Sequence, residues 1–220
     1  MSAPQEKPTL FYVYDALCGW CYGFSPVIQE FKKRHEDEFN FRVLSGGMVT
    51  GERVGPISTV ASYIKEAYLD VEERTGTKFG EEFIYKLMNE SQDIFTSVPS
   101  AMALSLFRTQ QPENEIEFAS RMQSAIYYQG LPPGDWSTYG QCAADFGINA
   151  EEFTKKLQNE KLFELALKEF QVVSNWGIKG FPSVLLQKNN QAYLIARGYS
   201  DLKELEDTAE KVLEEINSKS

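Results

Sequence analysis

Strand-like patterns stand only near the two ends of this chain, and a long helical stretch separates them. Thr9-Leu10-Phe11-Tyr12-Val13-Tyr14 is an apolar and aromatic run of the kind that forms a buried strand. A helical pattern follows to about Glu38, and Phe41-Arg42-Val43-Leu44 is a second strand, ended by Gly46-Gly47. Strand, helix and strand at this spacing predict a βαβ unit with parallel strands. Near the other end, residues 183–186 and 192–195 read as two strands around a hairpin turn at Lys188-Asn189-Asn190-Gln191. A last helix then gathers Leu202, Leu205, Ala209, Val212 and Ile216 on one face, with Ser200 or Asp201 as its N-cap. Between these ends, from about Gly47 to about Asn175, helical spacing dominates. Phe118, Met122, Ala125 and Ile126 show it, as do Phe163, Leu167 and Phe170. Breaks at Gly76, Pro99, Pro112, Pro132-Pro133-Gly134 and Gly147 divide the stretch into several helices. At 220 residues the chain is one large domain, or one domain carrying an insertion.

Cys18-Gly19-Trp20-Cys21 falls where the first strand gives way to the first helix. Two thiols at this spacing can close a small disulfide and open it again. The thiolate is the nucleophile, and the free N–H groups of a helix N-terminus favour negative charge there. The bland alternative is a structural or metal-binding pair. A closed zinc site needs about four ligands, and beyond this pair only Cys142 and His35 remain among Cys and His, so no metal is expected. The first eight residues lack the apolar core of a secretory signal, and no run approaches the roughly 18 apolar residues of a membrane helix. The expectation is therefore a cytoplasmic protein, in which a CxxC is redox-active or metal-binding rather than structural. The net charge of −10 is spread along the chain, which argues against nucleic acid or a membrane surface as partner.

The run Cys18-Gly19-Trp20-Cys21-Tyr22-Gly23-Phe24-Ser25-Pro26 resembles the active-site helix of the thioredoxin superfamily, including a proline five residues after the second cysteine. Gly177-Ile178-Lys179-Gly180-Phe181-Pro182-Ser183 resembles that family's cis-proline loop, followed by the expected hairpin and helix. The helical block narrows the resemblance to the DsbA-like branch, in which an all-helical insertion interrupts the thioredoxin fold. Within that branch the chain looks most like cytosolic predicted protein-disulfide isomerases and FrnE-like proteins, on Asp15, Cys18, Trp20, Cys21, Tyr22 and Gly23. The implied architecture is α/β, with residues 8–46 and 176–218 as the thioredoxin-like domain and 47–175 as the helical insertion. The implied activity is thiol–disulfide oxidoreductase or isomerase, acting on protein or small-molecule thiols and disulfides. No cofactor beyond the redox disulfide is implied, with glutathione open as a co-substrate.

The resemblance makes Cys18 the attacking thiol and Cys21 the resolving one. Trp20, Phe181 and Pro182 would contact substrate, Pro182 through a cis peptide bond. Asp15 could relay the Cys21 proton, or could simply be a turn residue at a strand end. The family's buried acid lies six residues before the first cysteine, where this chain has Tyr12, and DsbA's Pro-His dipeptide is replaced by Gly19-Trp20. Without that histidine a weaker oxidant is expected. Cys142 reads as a buried inert cysteine and His35 as structural. The segment Gly198-Tyr199-Ser200-Asp201 reads as a helix cap, or as a helix N-terminus able to hold a carboxylate such as glutathione's. Two other classes fit the same features: a kappa-class glutathione-dependent isomerase or transferase, which typically has serine where Cys18 stands, and a non-catalytic peptide-binding chaperone.

Overall fold

The computed structural model describes residues 7–89, 91–188 and 191–218. In chain order the elements are β1 (Thr9–Tyr14), α1 (Gly19–His35), β2 (Asn40–Ser45), β3 (Gly55–Pro56), α2 (Ala61–Thr75), α3 (Glu81–Met88), β4 (Ile94–Phe95), α4 (Val98–Arg108), α5 (Glu115–Tyr127), α6 (Trp136–Ala144), α7 (Ala150–Leu157), α8 (Glu160–Asn175), β5 (Ser183–Lys188), β6 (Gln191–Arg197) and α9 (Leu202–Ser218).

The ends of the chain meet in one four-stranded sheet of order β2-β1-β5-β6. β1 and β2 run parallel across the α1 crossover, with Thr9 opposite Asn40 and Tyr14 opposite Ser45. β5 returns antiparallel along the other side of β1, and β6 pairs antiparallel with β5. Lys188 and Gln191 close the hairpin, while Asn189 and Asn190 of its expected turn lie outside the described residues. Helix α1 ends at His35, short of Glu38, where the amides of Glu38 and Phe39 turn back to the His35 carbonyl.

β1 is central and buried on both faces, which is why its run is apolar without alternation. Leu10, Tyr12 and Tyr14 enter a main cluster with Phe24, Ile28 and Phe31 of α1, Phe107 of α4, Phe118 of α5 and Leu205 of α9. Val13 faces the other way, onto Leu185 and Val173. Phe107 and Phe118 stack with ring centroids 4.0 Å apart, joining α4 to α5 in the middle of the helical stretch.

Two details of that stretch depart from its periodicity. β3 and β4 form a two-residue antiparallel ladder, Gly55 opposite Phe95, among the helices. In α8 the buried side chains are Leu162, Ala166 and Val173, whereas Phe163 and Leu167 are 42% and 43% exposed. The helical spacing of Phe163 and Leu167 is real, but the neighbouring face is the one that α4 and β2 cover.

The outer edge of β2 is closed by side chains instead of a strand. Glu115 of α5 accepts from the Val43 amide at 2.9 Å, and Glu169 of α8 accepts from the Ser45 amide at 2.6 Å. Arg108 of α4 donates to the Val43 carbonyl and pairs with both carboxylates, at 3.0 Å to Glu115 and 2.9 Å to Glu169. An edge strand left open would be a template for pairing with another chain.

Candidate functional site

β1 ends at Tyr14, and a tight turn delivers the chain into α1. The Cys18 amide donates to the Asp15 carbonyl at 3.1 Å, and Asp15 Oδ1 accepts from the Leu17 amide at 3.0 Å. Cys18 is then the N-cap of α1, with extended backbone (φ −93°, ψ 109°). Its sulfur accepts from the Cys21 amide at 3.3 Å. That is the geometry by which a serine or aspartate oxygen caps a helix. A thiolate at this point faces an N–H that has no carbonyl partner within the helix, and the positive end of the helix dipole.

The two thiols differ in access. Cys18 is 6% exposed and Cys21 is fully buried. Burial pushes the Cys21 thiol well up from its ordinary pKa, and the adjacent Cys18 sulfur pushes it in the same direction. The Cys18 thiol also donates to the Phe181 carbonyl, with sulfur and oxygen 3.5 Å apart. This contact spans the two ends of the chain and brings the predicted loop to the predicted dithiol. The Phe181–Pro182 bond is cis. Pro182 is buried, and the tip of the Phe181 ring lies so close to Gly46 that a Cβ there would overlap it. Phe181 thus meets Cys18 through its backbone, while its side chain anchors the loop to the end of β2.

Asp15 is 1% exposed, and its carboxylate is fully occupied. Oδ1 also accepts from the Ser97 hydroxyl at 2.9 Å, and Oδ2 accepts from the Met48 amide at 2.7 Å. Burial raises its pKa, against the pull of hydrogen bonds from Met48, Leu17 and Ser97. The carboxylate therefore ties three segments together: the reactive turn, the chain after β2 and the start of α4. Trp20 is half-buried and packs against the main core at the start of α1.

Two nearby residues, Gln123 and Tyr127, escaped sequence reasoning, and Tyr12 entered the reading of the site only as the residue that replaces the family's buried acid. Gln123 of α5 is completely buried, donates to the carbonyls of Asp15 and Cys18 at 3.3 and 3.5 Å, and accepts from the Ser25 hydroxyl at 2.8 Å. A signal for it exists, because it interrupts the apolar stripe Ala119, Met122, Ile126 with an amide that must find partners. Tyr12 is fully buried beneath Cys21, and its hydroxyl donates to the Cys21 carbonyl at 3.5 Å. Tyr127, also buried, rests against Tyr22 and Phe79 at 5.3 and 5.2 Å between ring centroids.

The other singled-out residues lie elsewhere. His35 is at the far end of α1, its ring tilted against Phe31 at 4.5 Å between centroids and within 2.9 and 3.3 Å of the Glu38 and Glu206 carboxylates. Cys142 is buried in α6, which pushes its thiol up to about 12. Asp201 and Glu204 cap α9 reciprocally, Asp201 accepting from the Glu204 amide at 2.8 Å and Glu204 from the Asp201 amide at 3.2 Å. Among the described residues, no cluster of three His, Cys, Asp or Glu side chains could hold a metal ion. Nor is any described helix long and apolar enough to cross a membrane.

Paired thiols at the start of this helix, in a thioredoxin fold carrying a helical insertion, define a thiol–disulfide oxidoreductase working through its CxxC. The chain belongs to the DSBA-like thioredoxin domain family, whose model matches residues 9–210. It is similar to a candidate protein disulfide isomerase from Nitrosomonas europaea, at 25% identity over 96% of this chain and 99% of that one, with TM-score 0.82. The fold is also that of the cytosolic disulfide reductase DsbM from Pseudomonas aeruginosa, at 23% identity, 94% and 98% coverage and TM-score 0.77. Oxidoreductase DsbA from Xylella fastidiosa shares it at 12% identity, 98% and 90% coverage and TM-score 0.61. No curated protein matches the sequence.

Proposed function

We propose that this protein works in the cytoplasm as a dithiol reductase or isomerase, with Cys18 as the attacking thiol and Cys21 as the resolving one. The observation that carries the assignment is the asymmetry of the pair: the Cys18 sulfur caps α1 and retains access, whereas Cys21 is sealed. Attack by the Cys18 thiolate on a substrate disulfide releases one substrate thiol and leaves a mixed disulfide. Cys21 then attacks Cys18, closing the internal disulfide and releasing the second thiol. The reducing direction rests on a thiol-rich cytosol that would keep the pair reduced, while the N-cap geometry supplies the attacking thiolate without setting the direction.

Glutathione fits as the co-substrate that restores the dithiol: two molecules reduce the Cys18–Cys21 disulfide and leave as glutathione disulfide. In support, the DsbM fold relative has also been solved with GSH. A kappa-class transferase needs no second thiol, and the buried Cys21 beneath Cys18 favours the dithiol reading. The peptide-binding alternative needs neither thiol. Trp20, Phe181 and Pro182 are proposed to border the substrate and Asp15 to influence the proton of Cys21.

The test is a pair of variants assayed by glutathione-coupled disulfide reduction. Cys18→Ser should lose at least about a thousandfold in turnover, and Cys21→Ser should accumulate a mixed disulfide at Cys18 visible by mass spectrometry. Full activity in Cys18→Ser would sink the assignment, and glutathione-conjugate turnover persisting in Cys21→Ser would favour the transferase.

A further inference from the structure

A cavity of about 200 Å³ opens beside Cys18, and apart from Cys18 and Trp20 its walls have no role in the chemistry above. It is lined by Cys18 and Trp20 of the reactive turn, Val49 after β2, Ile64 and Ala67 of α2, and Phe79 beyond that helix. The loop of Phe181 and Pro182 contributes nothing to this lining. Cys18 therefore faces two unlike surfaces, a backbone carbonyl from that loop and an apolar recess against α2. No charged side chain among the described residues lines the recess, and the lining side chains that carry polar groups are three tyrosines, Trp20 and Cys18. Gly19 leaves it open: a Cβ there would stand 3.6 and 3.9 Å from Phe79 and Val71 of the same wall.

We propose that this recess takes a neutral, aryl-sized group attached to the sulfur that Cys18 attacks, so that the preferred substrates are mixed disulfides with one apolar arm. The inference rests on Cys18 being the nucleophile. A charged arm would enter a space with no counter-ion and would lose its hydration uncompensated. Size agrees as well, since a dry apolar cavity of about 150 Å³ suffices for benzene. With a glutathione–benzyl mercaptan disulfide, the Cys18 thiolate bonds to the benzyl-bearing sulfur, and glutathione leaves as thiolate and takes up a proton. Cys21, losing its proton to solvent, then displaces benzyl mercaptan, so the dithiol supplies both electrons.

The experiment is single turnover of the reduced protein with two glutathione mixed disulfides, one carrying benzyl mercaptan and one carrying cysteamine. Each rate is divided by that of dithiothreitol with the same compound, which removes intrinsic reactivity. The benzyl arm should be favoured at least about tenfold, equivalent to about 1.4 kcal/mol. Ala67→Phe, which fills the recess, and Val60→Asp, which puts a charge at its half-exposed rim, should each cut that preference several-fold. A normalised ratio near one in the parent overturns the proposal, as does an undiminished preference in both variants. Failure of the parent to react with either disulfide overturns the oxidoreductase reading and the recess with it.

Discussion

At Cys18 a sulfur atom occupies the place that an oxygen takes at most helix N-termini, so charge generated by chemistry is also charge that caps the helix. Three positions deeper, Cys21 has the opposite situation, because burial pushes its thiol up, and the resolving step is expected to depend on proton loss. Below that raised value the thiolate fraction climbs tenfold per pH unit. Closure should therefore accelerate about tenfold per unit between about pH 6 and 8. The second phase of thionitrobenzoate release from Ellman's reagent reports it, and a flat profile would remove Cys21 as the titrating group. Gly46 is a second residue whose chemistry is decided by a neighbour, since the Phe181 ring occupies the space of its missing side chain. Gly46→Val should cost about 1–3 kcal/mol through overpacking. It should also lower turnover, because the loop that holds the Phe181 carbonyl against Cys18 must move. Denaturant midpoints together with initial rates check both effects.

Among the elements, β2 shows best how the helices support the sheet. Its open edge is satisfied by Glu115, Glu169 and Arg108, each from a different helix of the long central stretch. The two carboxylates keep Arg108 charged although burial opposes it. Removing one partner strands the others, and Glu115→Ala leaves both the Val43 amide and part of the Arg108 charge unmatched. The expected loss is about 3–5 kcal/mol, measurable by urea denaturation, with Glu115→Gln losing less. An unchanged midpoint would mean that water replaces the clamp. None of this is visible in periodicity: Glu115 and Glu169 read as ordinary polar residues on their helices, because the pattern says which face is apolar and not which strand edge lies opposite. α8 teaches the same lesson, since Phe163 and Leu167 have helical spacing yet stand half in solvent.

For the whole molecule, the main core is one continuous cluster running from Leu10 and Ile28 through Phe107 and Phe118 to Leu205. Neither the sheet-forming ends nor the helical stretch closes its apolar surface alone. Unfolding should therefore be one cooperative transition, with calorimetric and van't Hoff enthalpies in agreement; two resolved heat-capacity peaks would show the parts to be separate. Local patterns were enough to read β1, the start of α1 with its dithiol, the β5–β6 hairpin and the apolar face of α9. Each depends on residues within a strand or a few helical turns of one another, where side-chain periodicity and caps act directly. The surroundings of the dithiol follow a different logic. The Ser97 hydroxyl reaches Asp15 across 82 residues of sequence and the Gln123 amide reaches it across 108. Only the packing of α4, α5 and α2 around the reactive turn determines which donors seal Asp15, how deeply Cys21 is buried and that an apolar recess opens beside Cys18. No sequence period carries that information, since it states which face of an element is buried and leaves open what it is buried against.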